Sequence, residues 1–336
     1  MHKELNSISI IRNYFVKKNV LNHKTNNIDS IYKFFKYLTE DKNKKKFNSL
    51  YILNYIYSYI SASEVSKRKT SARVFEDLLA IIFNGIVTDT VERNNLYNDV
   101  PDYFLLTKDK IASNKREKAD IIFDDNYAVS IKTLMIDNKE INMGSFEKKV
   151  LFDGFGVSDF LNERKAKNKN DNIGLGSKPQ IKSLLEIIEK NGHLKLFKER
   201  LIKMYNYIFS DDIIIAIKND SILKLYFITG DEFCKIISDR IDNIDLLLEI
   251  INRWEGNSIR INREKLLENT KRIIELDFSF LNKTVIKSVN EFDYQLHKNY
   301  INFFNNSNNS VYKTTVFSEL EILFDEFEKN IKELLQ

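Results

Sequence analysis

KADIIFDDNYAVSIKTL, residues 118–134, sets two short apolar runs on either side of an Asp-Asp-Asn step. Alternating residues around a polar three-residue step predict a tight β-hairpin. With Asp124, Asp125 and Asn126 as the turn, Phe123 faces Tyr127, Ile121 faces Val129 and Asp120 faces Ser130. One face then carries Ile121, Phe123, Tyr127, Val129 and Ile131, a credible core layer that a one-residue slip would destroy. The other face carries Asp120, Ile122, Ala128, Ser130, Lys132 and Leu134. Asp120 and Lys132 become diagonal neighbours across the strands, close enough to share a ligand.

Charges on the second face of a buried sheet need a reason, because burial is costly unless they pair with each other or with a ligand. A phosphodiester supplies one. The aspartate would hold Mg²⁺, which binds through one or two carboxylates plus substrate phosphates. The lysine would stabilise charge developing on phosphorus or help to deprotonate the attacking water. The plain alternative is a solvated hairpin face with a chance acid–base pair.

Composition narrows the field around this hairpin. The chain has 336 residues, 43% hydrophobic and 30% charged, an ordinary globular balance with room for one large domain or two modest ones. Only 9 glycines and 2 prolines punctuate it, so long helices should dominate. Basic residues exceed acidic ones by 52 to 48, too small a surplus to signal nucleic acid except through a local patch. A single cysteine, Cys234, excludes an internal disulfide and any cysteine-based zinc site. The four histidines are scattered, with no pair at metal-ligand spacing on a helix. No Ser-His-Asp or Cys-His arrangement and no Walker loop is present. The N-terminal residues show no signal-peptide core, and the most apolar run, SLYILNYIYSYISASEV (49–65), is broken by Asn54, Ser58 and Ser61. The expectation is a soluble, cytoplasmic protein with no membrane segment.

Along the chain, Ile31, Phe34, Phe35 and Leu38 form one helical stripe, and Leu50, Leu53, Tyr57 and Ile60 form another. TSARVFEDLLAIIFNG (70–85) is the most helix-like segment, with Phe75, Leu78, Leu79 and Ile82 on its apolar face and Asn84-Gly85 as a left-handed stop. DYFLLT (102–107) is expected as a strand, followed by the quoted hairpin and a second apolar pair, DIIIAIKNDSILKLYFITG (212–230). Beyond Gly230 the pattern is again mostly helical, and Trp254 and the aromatics of YINFF (300–304) are expected in helix cores.

The hairpin, preceded by the helix bearing RVFEDLLA, resembles the PD-(D/E)xK nuclease core over residues 70–135. In that family a helical glutamate, a strand aspartate and an acid-x-lysine on the next strand gather around a divalent metal. The resemblance assigns these roles to Glu76, Asp120 and Lys132. Ala119 stands where the family often has proline, and Ser130 stands in the place of the second acid. Serine is a poor Mg²⁺ ligand. Some restriction endonucleases of the family also carry serine there and take the missing carboxylate from a nearby helix. Glu147 in GSFEKKVLF is then the candidate, with Glu140 behind it and Glu76 as the alternative.

The fold implied is α/β: a central mixed β-sheet of restriction-endonuclease-like core flanked by helices, with helical N- and C-terminal additions. The divisions expected are a helical region over 1–66, a catalytic core with an inserted DNA-contacting loop over 67–232, and a mainly helical region over 233–336. The activity implied is Mg²⁺-dependent hydrolysis of double-stranded DNA by a homodimeric type II restriction enzyme. The rival is a non-catalytic DNA-binding or scaffold protein that keeps the fold, which Ser130 favours. For phosphate contacts, Lys67, Arg68, Lys69 and Arg73 lie at the N-terminus of the glutamate-bearing helix, where N–H groups attract anions. Lys165, Lys167, Lys169 and Lys178 lie in a long glycine-bearing stretch that could enter a groove. A solvated turn and a disordered loop are the respective plain alternatives.

Overall fold

The computed structural model describes residues 7–65, 71–87, 119–123, 127–145, 148–161, 174–208, 211–219, 221–256, 258–292, 322 and 324–329. The chain is mixed α/β, with a sheet flanked by helices. Helices α1 (Ser7–Lys17), α2 (Ile28–Thr39), α3 (Asp41–Lys44), α4 (Phe47–Val65) and α5 (Ser71–Phe83) precede strands β1 (Ile86–Val87), β2 (Ile121–Ile122), β3 (Ala128–Met135) and β4 (Glu140–Ser145). Next come α6 (Lys148–Phe152), α7 (Lys178–Lys190), α8 (Leu194–Ile208), β5 (Asp212–Lys218), β6 (Ile222–Ile228), α9 (Gly230–Ser238) and α10 (Ile244–Ile250). Strands β7 (Ile251–Glu255) and β8 (Ser258–Asn262), helix α11 (Arg263–Leu267) and strand β9 (Arg272–Asp277) follow. Among the described residues, six strands hydrogen-bond in the order β1-β2-β3-β5-β6-β9, and three in the order β4-β8-β7.

Two compact units emerge, each discontinuous in sequence. The first comprises Met1–Ala128, Lys218–Lys224 and Ile274–Gln336; the second comprises Val129–Ile217 and Leu225–Ile273. The two ends of the chain therefore share a unit.

Aromatic packing holds the first unit together. Phe34 meets Phe15 and Phe83 edge-on, with ring centroids 5.2 and 5.4 Å apart. Phe47 of α4 meets Phe292 and Phe327 at 4.3 and 4.2 Å. These are favourable offsets for rings whose faces are negative and edges positive. The α2 stripe Ile31, Phe34, Phe35 and Leu38 is buried as the sequence predicts. Helix α4 is buried on several sides at Leu50, Tyr51, Ile52, Leu53 and Ile56, which explains its membrane-like composition. Among the described residues no helix is long and apolar enough to cross a membrane.

The stop after α5 follows the sequence only in part. Asn84 takes the left-handed conformation at φ 56°, and the Gly85 N–H donates to the Ala80 carbonyl at 2.8 Å. Gly85 itself does not take the left-handed conformation; its reason is space. A Cβ there would lie 2.5 Å from the Phe123 ring and 2.7 Å from Ile121 Cγ2. Strand β1 then pairs antiparallel with β2, Ile86 opposite Ile122 and Val87 opposite Ile121.

The second unit is built on aliphatic packing. Ile181, Leu184, Leu185 and Ile188 of α7 join Phe152, Phe155, Phe197 and Trp254 in one cluster. Trp254 lies on strand β7 rather than in a helix core, and residues 251–277 form three strands where the pattern after Gly230 predicts helix. Period-2 alternation was hidden there by flanking helical segments. The second apolar pair does fold as a hairpin, closed by Asn219, whose N–H donates to the Ile222 carbonyl at 3.0 Å. The expected strand at 102–107 and the aromatics at 300–304 lie outside the described residues.

Candidate functional site

The expected turn residues Asp124, Asp125 and Asn126 lie outside the described residues, and the residues on either side of them meet in the register that the sequence specifies. The Phe123 N–H donates to the Tyr127 carbonyl at 2.8 Å, and the two rings stack with centroids 5.9 Å apart. Ile121, Phe123, Val129 and Ile131 are all buried. The opposite positions are also enclosed: Ile122, Ala128 and Ser130 are buried, and Asp120 and Lys132 are half-buried.

A glutamate at the edge of a helix's apolar face, next in line to Ala80 and Phe83, is more often a plain surface residue, but Glu76 is buried. It is only 8% exposed, among the apolar side chains of α5. Seven residues separate it from Phe83, two helical turns, so both occupy one helix face. Phe83 packs edge-on against Phe123 just after β2, with centroids 6.3 Å apart. Phe83 also packs on Phe34 and Phe35 of α2, so these contacts place the end of α5 beside Phe123, and Asp120 immediately precedes β2. A carboxylate buried there must be satisfied by partners, and Glu76 and Asp120 both have interactions in the fold.

Glu76 and Asp120 belong to the first unit; Ser130 and Lys132, on β3, belong to the second. Glu147 lies outside the described residues, immediately before α6, whose helical start at Lys148 matches the pattern of GSFEKKVLF. Glu140 is committed elsewhere: its carboxylate accepts from Asn252 Nδ2 at 3.1 Å and from Arg253 Nε at 3.0 Å. That pairing raises the Arg253 pKa further, and it removes Glu140 as a reserve metal ligand.

Among the described residues, no group of three or more His, Cys, Asp or Glu side chains could hold a metal ion. Mg²⁺ does not need such a group, since one or two carboxylates suffice alongside phosphate oxygens and water. The hard oxygen donors of Asp120 and Glu76 suit it in kind.

Of the basic residues assigned to phosphate, Lys67, Arg68, Lys69, Lys165, Lys167 and Lys169 lie outside the described residues. Arg73 is in the first turn of α5, and Lys178, half-buried, is the first residue of α7. Two lysines escaped sequence reasoning: Lys218 at the end of β5 is 3% exposed and Lys148 at the start of α6 is 6% exposed. Both have partners in the fold. The only signal was an ammonium closing the apolar run IIIAIK, which reads equally well as the strand reaching solvent. Cys234 is half-buried, and burial pushes its thiol pKa up, away from nucleophilic chemistry.

The chain matches no family model, no curated protein and no solved structure.

Proposed function

We propose that this protein is a Mg²⁺-dependent endonuclease that hydrolyses double-stranded DNA, with a PD-(D/E)xK-like core and the sequence specificity of a type II restriction enzyme. The observation that carries the proposal is Glu76, a glutamate only 8% exposed in the helix that precedes β2, where the resemblance expects a helical carboxylate. The order of elements along the chain supports it too, since α5 is followed by Asp120 immediately before β2 and then by β3 with Ser130 and Lys132.

Asp120 would hold the ion, and Glu76 or Glu147 would supply the second carboxylate that Ser130 cannot. Mg²⁺ held there would lower the pKa of a bound water and offset charge on the phosphate. Lys132 would set its ammonium beside the non-bridging oxygens, where negative charge grows as the water oxygen bonds to phosphorus and the bond to the leaving sugar oxygen breaks. The half-burial of Lys132 strengthens that interaction relative to one in open solvent.

A second reading is favoured by one observation. Ser130 is buried at the position of the family's second acid, which fits a core that binds DNA without cutting it. Incubating the protein with plasmid and phage DNA, with and without Mg²⁺, separates the two. Discrete fragments that require the metal are expected. Retention of DNA without cutting, in both Mg²⁺ and Mn²⁺, would establish the binding module instead.

A further inference from the structure

The second unit carries a polar row across its three-stranded sheet. In the register, Asn142 of β4 faces Arg260 of β8, and Arg260 faces Arg253 of β7. The alternate positions Ile141, Met143, Trp254, Ile259 and Ile261 are buried beneath, so Asn142, Arg260 and Arg253 lie on the outward face. Two arginines directly opposite each other would repel unless carboxylates lay beside them.

Two glutamates restrain them. Glu255 accepts from Arg260 Nε at 3.0 Å and lies 2.7 Å from its Nη2, while also standing 3.7 Å from Arg253 Nη2. Glu140 holds Arg253 through Nε at 3.0 Å and Nη2 at 2.9 Å. Each guanidinium is thereby gripped along one edge. Its Nη1 end has no protein partner among the described residues, and the side chains remain 38% and 27% exposed at Arg253 and Arg260.

We infer that Asn142, Arg260 and Arg253 form a base-reading row for duplex DNA, an inference that rests on DNA being the substrate proposed above. The free end of an arginine pairs with guanine O6 and N7, and asparagine pairs with adenine N6 and N7. Carboxylates that fix the guanidinium planes remove the rotamer freedom that would otherwise blur the choice of base. Three strands about 4.8 Å apart span roughly 10 Å, which suits a major groove about 12 Å wide. Two arginines and two glutamates leave the row electrically neutral, so it contributes selectivity while phosphate contacts elsewhere supply affinity.

The test uses the full chain in Ca²⁺, which permits binding without cleavage, and a randomised duplex library. Wild type should enrich a site containing G·C pairs. Arg260→Lys and Arg253→Lys keep the charge but lose the planar fork. Each should reduce preference for that site over a scrambled duplex by about tenfold or more, with scrambled-duplex affinity changed by less than about twofold. Asn142→Ala leaves the ion pairs untouched and should relax the choice at one A·T position, so the test survives if an arginine variant misfolds. Unchanged site preference in all folded variants overturns the inference and makes the row a brace. Cleavage by wild type with no enriched site overturns it while leaving the nuclease proposal standing. Absence of both binding and cleavage overturns both.

Discussion

At the scale of single residues, the proposed chemistry turns on one buried glutamate. Glu76 lies at the edge of its helix's apolar face, next in line to Ala80 and Phe83, where a glutamate is more often a plain surface residue, and helical periodicity cannot say how wide the buried face will be. The structure widens that face until it includes the glutamate. Asp120→Ala and Lys132→Ala should each lower cleavage by about a hundredfold or more while leaving the fold intact, and the lysine variant should still bind DNA in Ca²⁺. Near-normal cutting by either would remove that residue from the site. Glu147→Gln and Glu76→Gln, assayed across Mg²⁺ and Mn²⁺ titrations, identify the second carboxylate. A true ligand should lose activity steeply and regain part of it at high Mn²⁺. Glu147→Gln dead and Glu76→Gln merely weakened is the expected order, because Glu147 comes shortly after the lysine on the segment that starts α6. The reverse order would make the buried helical glutamate the ligand.

At the scale of elements, the junction between α5 and β1 matters most, because it sets β2 and with it Asp120. Gly85→Ala should destabilise the protein by about 1–3 kcal/mol, since its Cβ would collide with the Phe123 ring and Ile121 and both are packed on other sides. Urea unfolding measures this directly. Asn84→Ala should cost less, about 1 kcal/mol, since it disfavours only the left-handed turn. If the two variants are equally stable, steric room at Gly85 is not what fixes the junction. The hairpin register was legible in the sequence because each face is defined by side chains two apart. The strands at 251–277 were not, because Trp254 and its neighbours alternate over only a few residues between helices, too short a window for either period to dominate.

At the scale of the molecule, charge and assembly follow from the proposed substrate. Neutralising Lys165, Lys167, Lys169 and Lys178 together should weaken binding to all duplexes and flatten the dependence of affinity on salt, each lost phosphate contact reducing the slope by about one. An unchanged slope would show that this stretch is solvated and plays no part in holding DNA. A restriction enzyme reading a palindrome is expected to be a homodimer, whose two-fold symmetry mirrors that of its site, and sedimentation equilibrium of the free protein tests this.

The sequence by itself determined what depends on neighbours close along the chain. The register of the first hairpin, the helical stripes of α2 and α5, the left-handed stop at Asn84 and the pairing at 219–222 all follow from local periodicity and backbone preference. Tertiary structure decided what depends on distant partners. Only packing brings Phe292, Phe324 and Phe327 onto Phe47, so that the two ends of the chain share one unit. Only the strand order β4-β8-β7 sets Asn142, Arg260 and Arg253 in one row and commits Glu140 to Arg253 instead of a metal. The physical reason is range. Backbone propensity and side-chain period act over a few residues, whereas burial and ion pairing join groups more than a hundred positions apart, a distance over which no sequence pattern repeats.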